Sequence, residues 1–222
     1  MIFKNWPFFL FKRRLVKWID NEFYPYFSQL PETIRLPNNI WYVIKEIKKN
    51  TEIDGAERAV TILDIDGLMI FTPTIIGESE RVLLKHQFKV EYQYDPNNQR
   101  CYRRIYRDNR LIIKDYFLTQ RPPSKIRLRV LFNIHTHPHG ESANFFSDTD
   151  IKSFLENPKV GAIILVAQDI WLLLKTRETK ERLNLSRIEP LNPFDLVKEK
   201  KLAVYRGKIK ERLKRIETPI YY

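Results

Sequence analysis

The spacing of apolar residues changes several times along the chain, and each change predicts an element. Phe8, Phe11, Leu15, Trp18, Ile19 and Phe23 recur at helical spacing, with Lys12, Arg13, Arg14 and Lys17 between them. Over 8–24 this predicts a helix that either packs on the domain or lies on a membrane surface. Pro25, Pro31 and Pro37 punctuate the connector that follows. Asn38-Asn39 reads as the N-cap of a second helix, about 40–49, buried through Ile40, Trp41, Val43, Ile44 and Ile47.

After the Asp54-Gly55 turn the pattern becomes that of strands. Runs at 59–65 and 68–75 meet at Asp66-Gly67, a strong hairpin signal. A strand at 88–94 leads through the Pro96-Asn97-Asn98 turn to runs at 101–107 and 111–117, which flank Asp108-Asn109 as a second hairpin. Pro122-Pro123 closes that region. Residues 126–134 form a strand that becomes buried towards its end and runs straight into His135-Thr136-His137-Pro138-His139-Gly140. Ser147-Asp148-Thr149-Asp150 opens a helix over 149–156. Two buried strands follow at 160–167 and 170–175, joined by Gln168-Asp169. Leu202, Tyr205, Ile209, Leu213 and Ile216 then predict an amphipathic basic helix over 195–216.

Composition narrows the classes. Of 222 residues, 43% are hydrophobic and 30% charged, which excludes a wholly disordered chain. The single cysteine, Cys101, excludes an intramolecular disulfide framework and any Cys-rich zinc module. A metal site must therefore come from His, Asp and Glu. The net charge of +12 favours acidic partners: nucleic acid, an anionic membrane surface or an acidic protein. Part of it lies in Lys12-Arg13-Arg14 and in 198–215, where such runs read first as solvated helix faces. The apolar runs 161–167 and 170–174 fall far short of the ~20 residues of a spanning helix. The N-terminus starts apolar and turns basic, the reverse of a signal peptide, so the expected location is cytoplasmic.

The chemistry concentrates in one stretch. Three of the four histidines fall within five residues, at the end of an apolar strand. On an extended chain, residues i and i+2 point to the same side, so His135 and His137 can converge on one ion. A carboxylate from the following helix start can close a third side. Two His and one carboxylate, with a fourth position open, is a catalytic zinc arrangement; iron or manganese can occupy a similar triad.

His135-Thr136-His137-Pro138 followed by Ser147-Asp148-Thr149-Asp150 resembles the JAB/MPN/Mov34 (JAMM) zinc metallopeptidase family, in its prokaryotic type. The resemblance covers about 40–176. It implies a mixed α/β fold, JAB/MPN-like and cytidine-deaminase-like, with a sheet flanked by helices. The implied division is an apolar and basic helical extension at 1–37, a metallopeptidase domain at 38–185 with a β-rich insertion at 88–121, and the basic helix at 186–222. It implies Zn²⁺ on His135, His137 and Asp150, oxyanion stabilisation by Ser147, and a glutamate that moves protons. Glu57 is the choice for that glutamate, with Glu52, Glu78 and Glu80 as alternatives, and Asp148 is a rival to Asp150 as ligand. The implied reaction is hydrolysis of a peptide or isopeptide bond, at the C-terminal tail of a ubiquitin-like protein or in a small peptide. An extended tail would lie beside the 57–63 strand or the 88–121 hairpin by strand addition.

Other classes predict other behaviour. A RadC-like domain would act in nucleic-acid binding, which the charge suits, although no known nucleic-acid-binding motif is present. A non-catalytic MPN-type domain would bind protein without holding metal. The N-terminal segment could attach the chain to an anionic membrane.

Overall fold

The computed structural model describes residues 26–77, 86–121, 123–138, 144–157, 160–181 and 193–216. The helix expected over 8–24 lies outside them, as do Glu78, Glu80 and His139. The chain folds as mixed α/β, with helices packed on a large mixed sheet and a smaller antiparallel sheet beside it.

A short strand β1 (Thr33–Ile34) leads to helix α1 (Asn38–Asp54). Its N-cap is Pro37, in extended conformation, and Asn39 Oδ1 accepts from the Ile40 amide at 2.9 Å. The helix runs five residues beyond the expected end and stops at Gly55. There φ is +72°, and the Gly55 amide donates to Thr51 O at 2.8 Å. Strands β2 (Arg58–Ile65) and β3 (Leu68–Phe71) follow, joined by Asp66 at φ +49° and Gly67 at φ +91°, the left-handed pair of a tight hairpin. The expected second run breaks at Thr72. Ile75–Ile76 form a separate short strand, β4, which returns to pair with the start of β2.

The segment 88–121 forms its own three-stranded antiparallel sheet: β5 (Phe88–Asp95), β6 (Arg100–Arg107) and β7 (Arg110–Leu118). Asp108 and Asn109, both at positive φ, make the β6–β7 turn. Strand β8 (Leu128–Thr136), helix α2 (Asp148–Glu156) and strand β9 (Val160–Val166) form a crossover with β8 and β9 parallel. Strand β10 (Ile170–Leu174) turns back antiparallel to β9. Helices α3 (Arg177–Glu181) and α4 (Pro193–Glu199) follow.

The helix expected over 195–216 stops at Glu199, the end of α4, and the rest of that stretch is not helical. Past α4 the chain makes two strands, β11 (Ala203–Gly207) and β12 (Leu213–Ile216). Leu202, Ala203, Val204 and Tyr205 are all buried, so both faces of this segment are covered and no solvated helical face exists there. β11 pairs with β10 and fills the edge that β10 would otherwise expose. The large sheet then reads β1-β12-β11-β10-β9-β8-β2-β3, with β4 also beside β2.

Three apolar clusters hold these layers. On one face Ile40, Trp41, Ile44 and Ile47 of α1 pack on Val60, Ile62, Ile134, Ile164 and Leu172. On the other, Ile151, Phe154 and Leu155 of α2 and Leu196 and Val197 of α4 pack on Ile163, Leu165 and Leu173. Burial on both faces explains why β9 and β10 read as unbroken apolar runs. The small sheet docks through Val90 and Ile105 on Leu63, Ile65 and Ile70. Among the described residues no helix is long and apolar enough to cross a membrane.

Candidate metal centre

The parallel pairing of β8 with β9 carries His135 opposite Leu165, and the His137 amide donates to Val166 O at 3.3 Å just past the strand end. Antiparallel pairing with β2 sets His135 beside Ala59, whose small side chain leaves room for an imidazole. The ring centroids of His135 and His137 lie 5.1 Å apart. Phe146 walls the His135 ring from the other side at 5.8 Å.

Thr136, between them, points the opposite way. Its hydroxyl lies 2.7 Å from that of Thr51 on α1 and accepts from the Arg58 amide at 2.9 Å. Arg58 in turn forms an ion pair with Asp54 and donates to Ala56 O at 2.9 Å, locking the helix end to the strand start. Sequence reasoning missed these three anchors. The side alternation of the His-x-His stretch was the one available pointer to Thr136.

Ser147 caps α2 in a reciprocal box. Ser147 Oγ accepts from the Asp150 amide at 3.1 Å, while Asp150 Oδ2 accepts from the Ser147 amide at 2.9 Å and its hydroxyl at 2.7 Å. The box fixes the Asp150 carboxylate over the two imidazoles. Oδ1 lies 3.5 Å from His135 Nε2, and Oδ2 lies 3.3 Å from His137 Nε2. Burial works against the Asp150 charge, yet the His135 and His137 rings hold its carboxyl well below the usual carboxylate range.

His135, His137 and Asp150 thus each offer one ligand atom, all within 4.8 Å of one another. This is a three-residue cluster close enough to chelate a metal ion. The buried state of His135 fits that use: its side chain is 2% exposed, and neither ring nitrogen has a hydrogen-bond partner among the described residues. An imidazole buried without a hydrogen bond is costly, and coordination satisfies it. Two nitrogens and one carboxylate oxygen form a donor set suited to zinc.

The other candidates separate cleanly. Glu57, at the entry to β2, is 8% exposed and sets Oε1 3.9 Å from His137 Nε2. Glu52 remains on α1 and pairs with Lys48 at 3.2 Å. Asp148 pairs with Lys152 at 3.0 Å, one turn along α2. His86 sits in the small sheet's flank, 2.5 Å from Asp108. Cys101, on the inward side of β6, is buried.

Comparison with protein-family models, with curated proteins and with solved structures finds no match to this chain. The functional reading therefore stands on the cluster itself, which is compatible with a metal-dependent active site.

Proposed function

We propose that the chain is a JAMM-type zinc peptidase or isopeptidase with a JAB/MPN-like fold, acting in the cytoplasm on a peptide or on the C-terminal tail of a ubiquitin-like protein. The observation that carries this reading is Glu57: a buried carboxylate beside the chelating cluster that is not one of its three members. A purely structural metal site closes its coordination and needs no such neighbour. Bound zinc would supply Lewis acidity, polarising a carbonyl and acidifying a nearby water. Glu57 takes the proton of the attacking water and returns it to the leaving amine. The α2 cap holds Asp150 in place throughout. Ser147 Oγ donates to Asp150 in the resting site, so its help to an oxyanion requires that hydroxyl to change partner.

Strand addition directly beside 57–63 is not available. β2 already pairs with β8 on one side and with β3 and β4 on the other. An extended tail approaching the site would instead meet the outer edge of β4, where Ile76 is exposed.

The test pairs metal analysis with hydrolysis of quenched peptides and ubiquitin-like isopeptide conjugates. The wild-type chain is expected to hold zinc and cleave. Glu57→Gln should keep the zinc and lose about 100-fold or more in rate. His135→Ala should lose both. A Glu57→Gln chain with full activity removes the proton-transfer assignment. A zinc-loaded chain inert on both substrate classes removes the peptidase reading and leaves a metal site of other use.

A further inference from the structure

The sheet of β5, β6 and β7 contributes nothing to the metal centre, and its two faces differ in kind. Along β6, Cys101, Arg103 and Ile105 turn inward and are buried. Arg103 is matched there by Asp115, with Nε donating to Oδ1 at 2.9 Å. The outward positions read Arg100, Tyr102, Arg104, Tyr106: cation and ring in strict alternation. Register extends the pattern sideways, with Tyr102 opposite Tyr116 and Arg104 opposite Lys114 on β7. The Tyr102 and Tyr116 rings lie 6.0 Å apart, and the Arg100 guanidinium stands 4.9 Å over the Tyr116 ring.

This face is open. Tyr116 is 54% exposed, a high value for an aromatic ring on a sheet. Its acids are confined to β5 and are engaged: Glu91 pairs with Lys89 at 2.7 Å, and Asp95 accepts from the Asn97 amide and the Asn98 side chain. Glu91 also stands opposite Arg104 and bonds the Tyr106 hydroxyl, and Asp95 stands opposite Arg100. With Lys89, Arg100, Arg104 and Lys114 against Glu91 and Asp95, cations still outnumber acids on this face, and they lie between aromatic rings on a chain of net charge +12.

We propose that the outer face of this sheet binds single-stranded nucleic acid. Successive outward positions on a strand are about 6.6 Å apart, so rings and cations alternate on the scale of a nucleotide. Tyr102, Tyr106 and Tyr116 stack bases, while Arg100, Arg104 and Lys114 neutralise phosphates. A duplex hides the faces of its bases from such rings. An acidic polypeptide meets the charge but offers the rings nothing flat to stack upon. The proposal is independent of the metal chemistry.

The test uses the full chain and fluorescein-labelled oligothymidylate and oligouridylate of about 20 nucleotides, read by anisotropy over a salt series. Both are expected to bind, with affinity falling as salt rises by about 0.7 log units per log unit for each phosphate contacted. Tyr102→Ala should weaken binding at least about 5-fold, while Tyr102→Phe keeps the ring and the affinity. Arg104→Glu, on the solvent face, should weaken binding and flatten the salt slope, so the proposal is tested even if the alanine variant does not fold. Absence of binding at low salt overturns it, as does equal affinity for duplex of the same length. Competition by polyglutamate as effective as by unlabelled oligonucleotide also overturns it, in favour of an acidic protein partner.

Discussion

Thr136 holds the two imidazoles by facing away from them. Its hydroxyl joins Thr51 of α1 and the Arg58 amide of β2, tying three elements together beneath the two imidazoles. Replacement by Val keeps shape and branching but deletes these bonds and leaves a buried amide without a partner. Thr136→Val is expected to cost about 1–3 kcal/mol in chemical denaturation and to weaken zinc about 10-fold or more in a chelator competition. Unchanged zinc affinity in a destabilised variant would mean that the anchor serves the fold alone. At the same scale, Asp150 serves twice, as the partner in the α2 cap and as a ligand candidate. One carboxylate meets both needs because a helix N-terminus and a metal ion each favour negative charge.

At the scale of elements, the end of α1 decides what reaches the site. Gly55 reverses the chain at φ +72°, and two residues later Glu57 enters β2 facing His137. A Cβ at Gly55 would meet nothing within 4 Å, so Gly55→Ala tests backbone strain rather than packing. It is expected to lower stability by about 1 kcal/mol, visible as a drop in melting temperature. Gly55→Asn should lose less, since Asn tolerates the left-handed region. The C-terminal strands show the opposite kind of glycine. A Cβ at Gly207 would stand 2.9 Å from Leu213 Cδ2 and 3.0 Å from Arg212 O, so this position exists for the close approach of β11 and β12.

At the scale of the whole molecule, one buried cation sets a pH dependence of stability. Lys175, at the end of β10, is 3% exposed; Nζ donates to Asn157 O at 2.7 Å and stands 4.5 Å over the Phe154 ring. Burial pushes its ammonium down to about 7 from the ordinary 10.5. The unfolded chain therefore binds the extra proton between those values, and stability rises with pH across that window. The cost of burying the charge is full below about 7 and vanishes above about 10.5. Lys175→Met should remove this rise and stabilise the chain at neutral pH, by on the order of 5 kcal/mol at most. Denaturant midpoints measured for both chains across that range check it. A parallel rise in the Met variant would assign the dependence to another group.

Much of this architecture is legible residue by residue. Asp66-Gly67 and Asp108-Asn109 announce their hairpins because few residues accept positive φ at a tight turn. The Ser-x-x-Asp of 147–150 marks a helix start because its side chains can bond the free amides of the first turn, and it becomes the observed capping box. The period of two along β8 puts His135 and His137 on one side whatever packs around them. Local chemistry is silent on partners brought from far along the chain. Glu52 and Glu57 are the same residue five positions apart; only the helix stop between them sends one to Lys48 and the other to the chelating cluster. Asp148 and Asp150 share a helix turn, yet only Asp150 faces both imidazoles. The helical spacing of 195–216 continues past Glu199, but from Ala203 β10 offers an unpaired edge and a buried layer, and that pairing outweighs a weak helical preference. Sequence by itself determined turns, caps and the side on which neighbouring residues project. Tertiary structure decided which distant groups meet, because burial and strand pairing are satisfied by the whole chain at once.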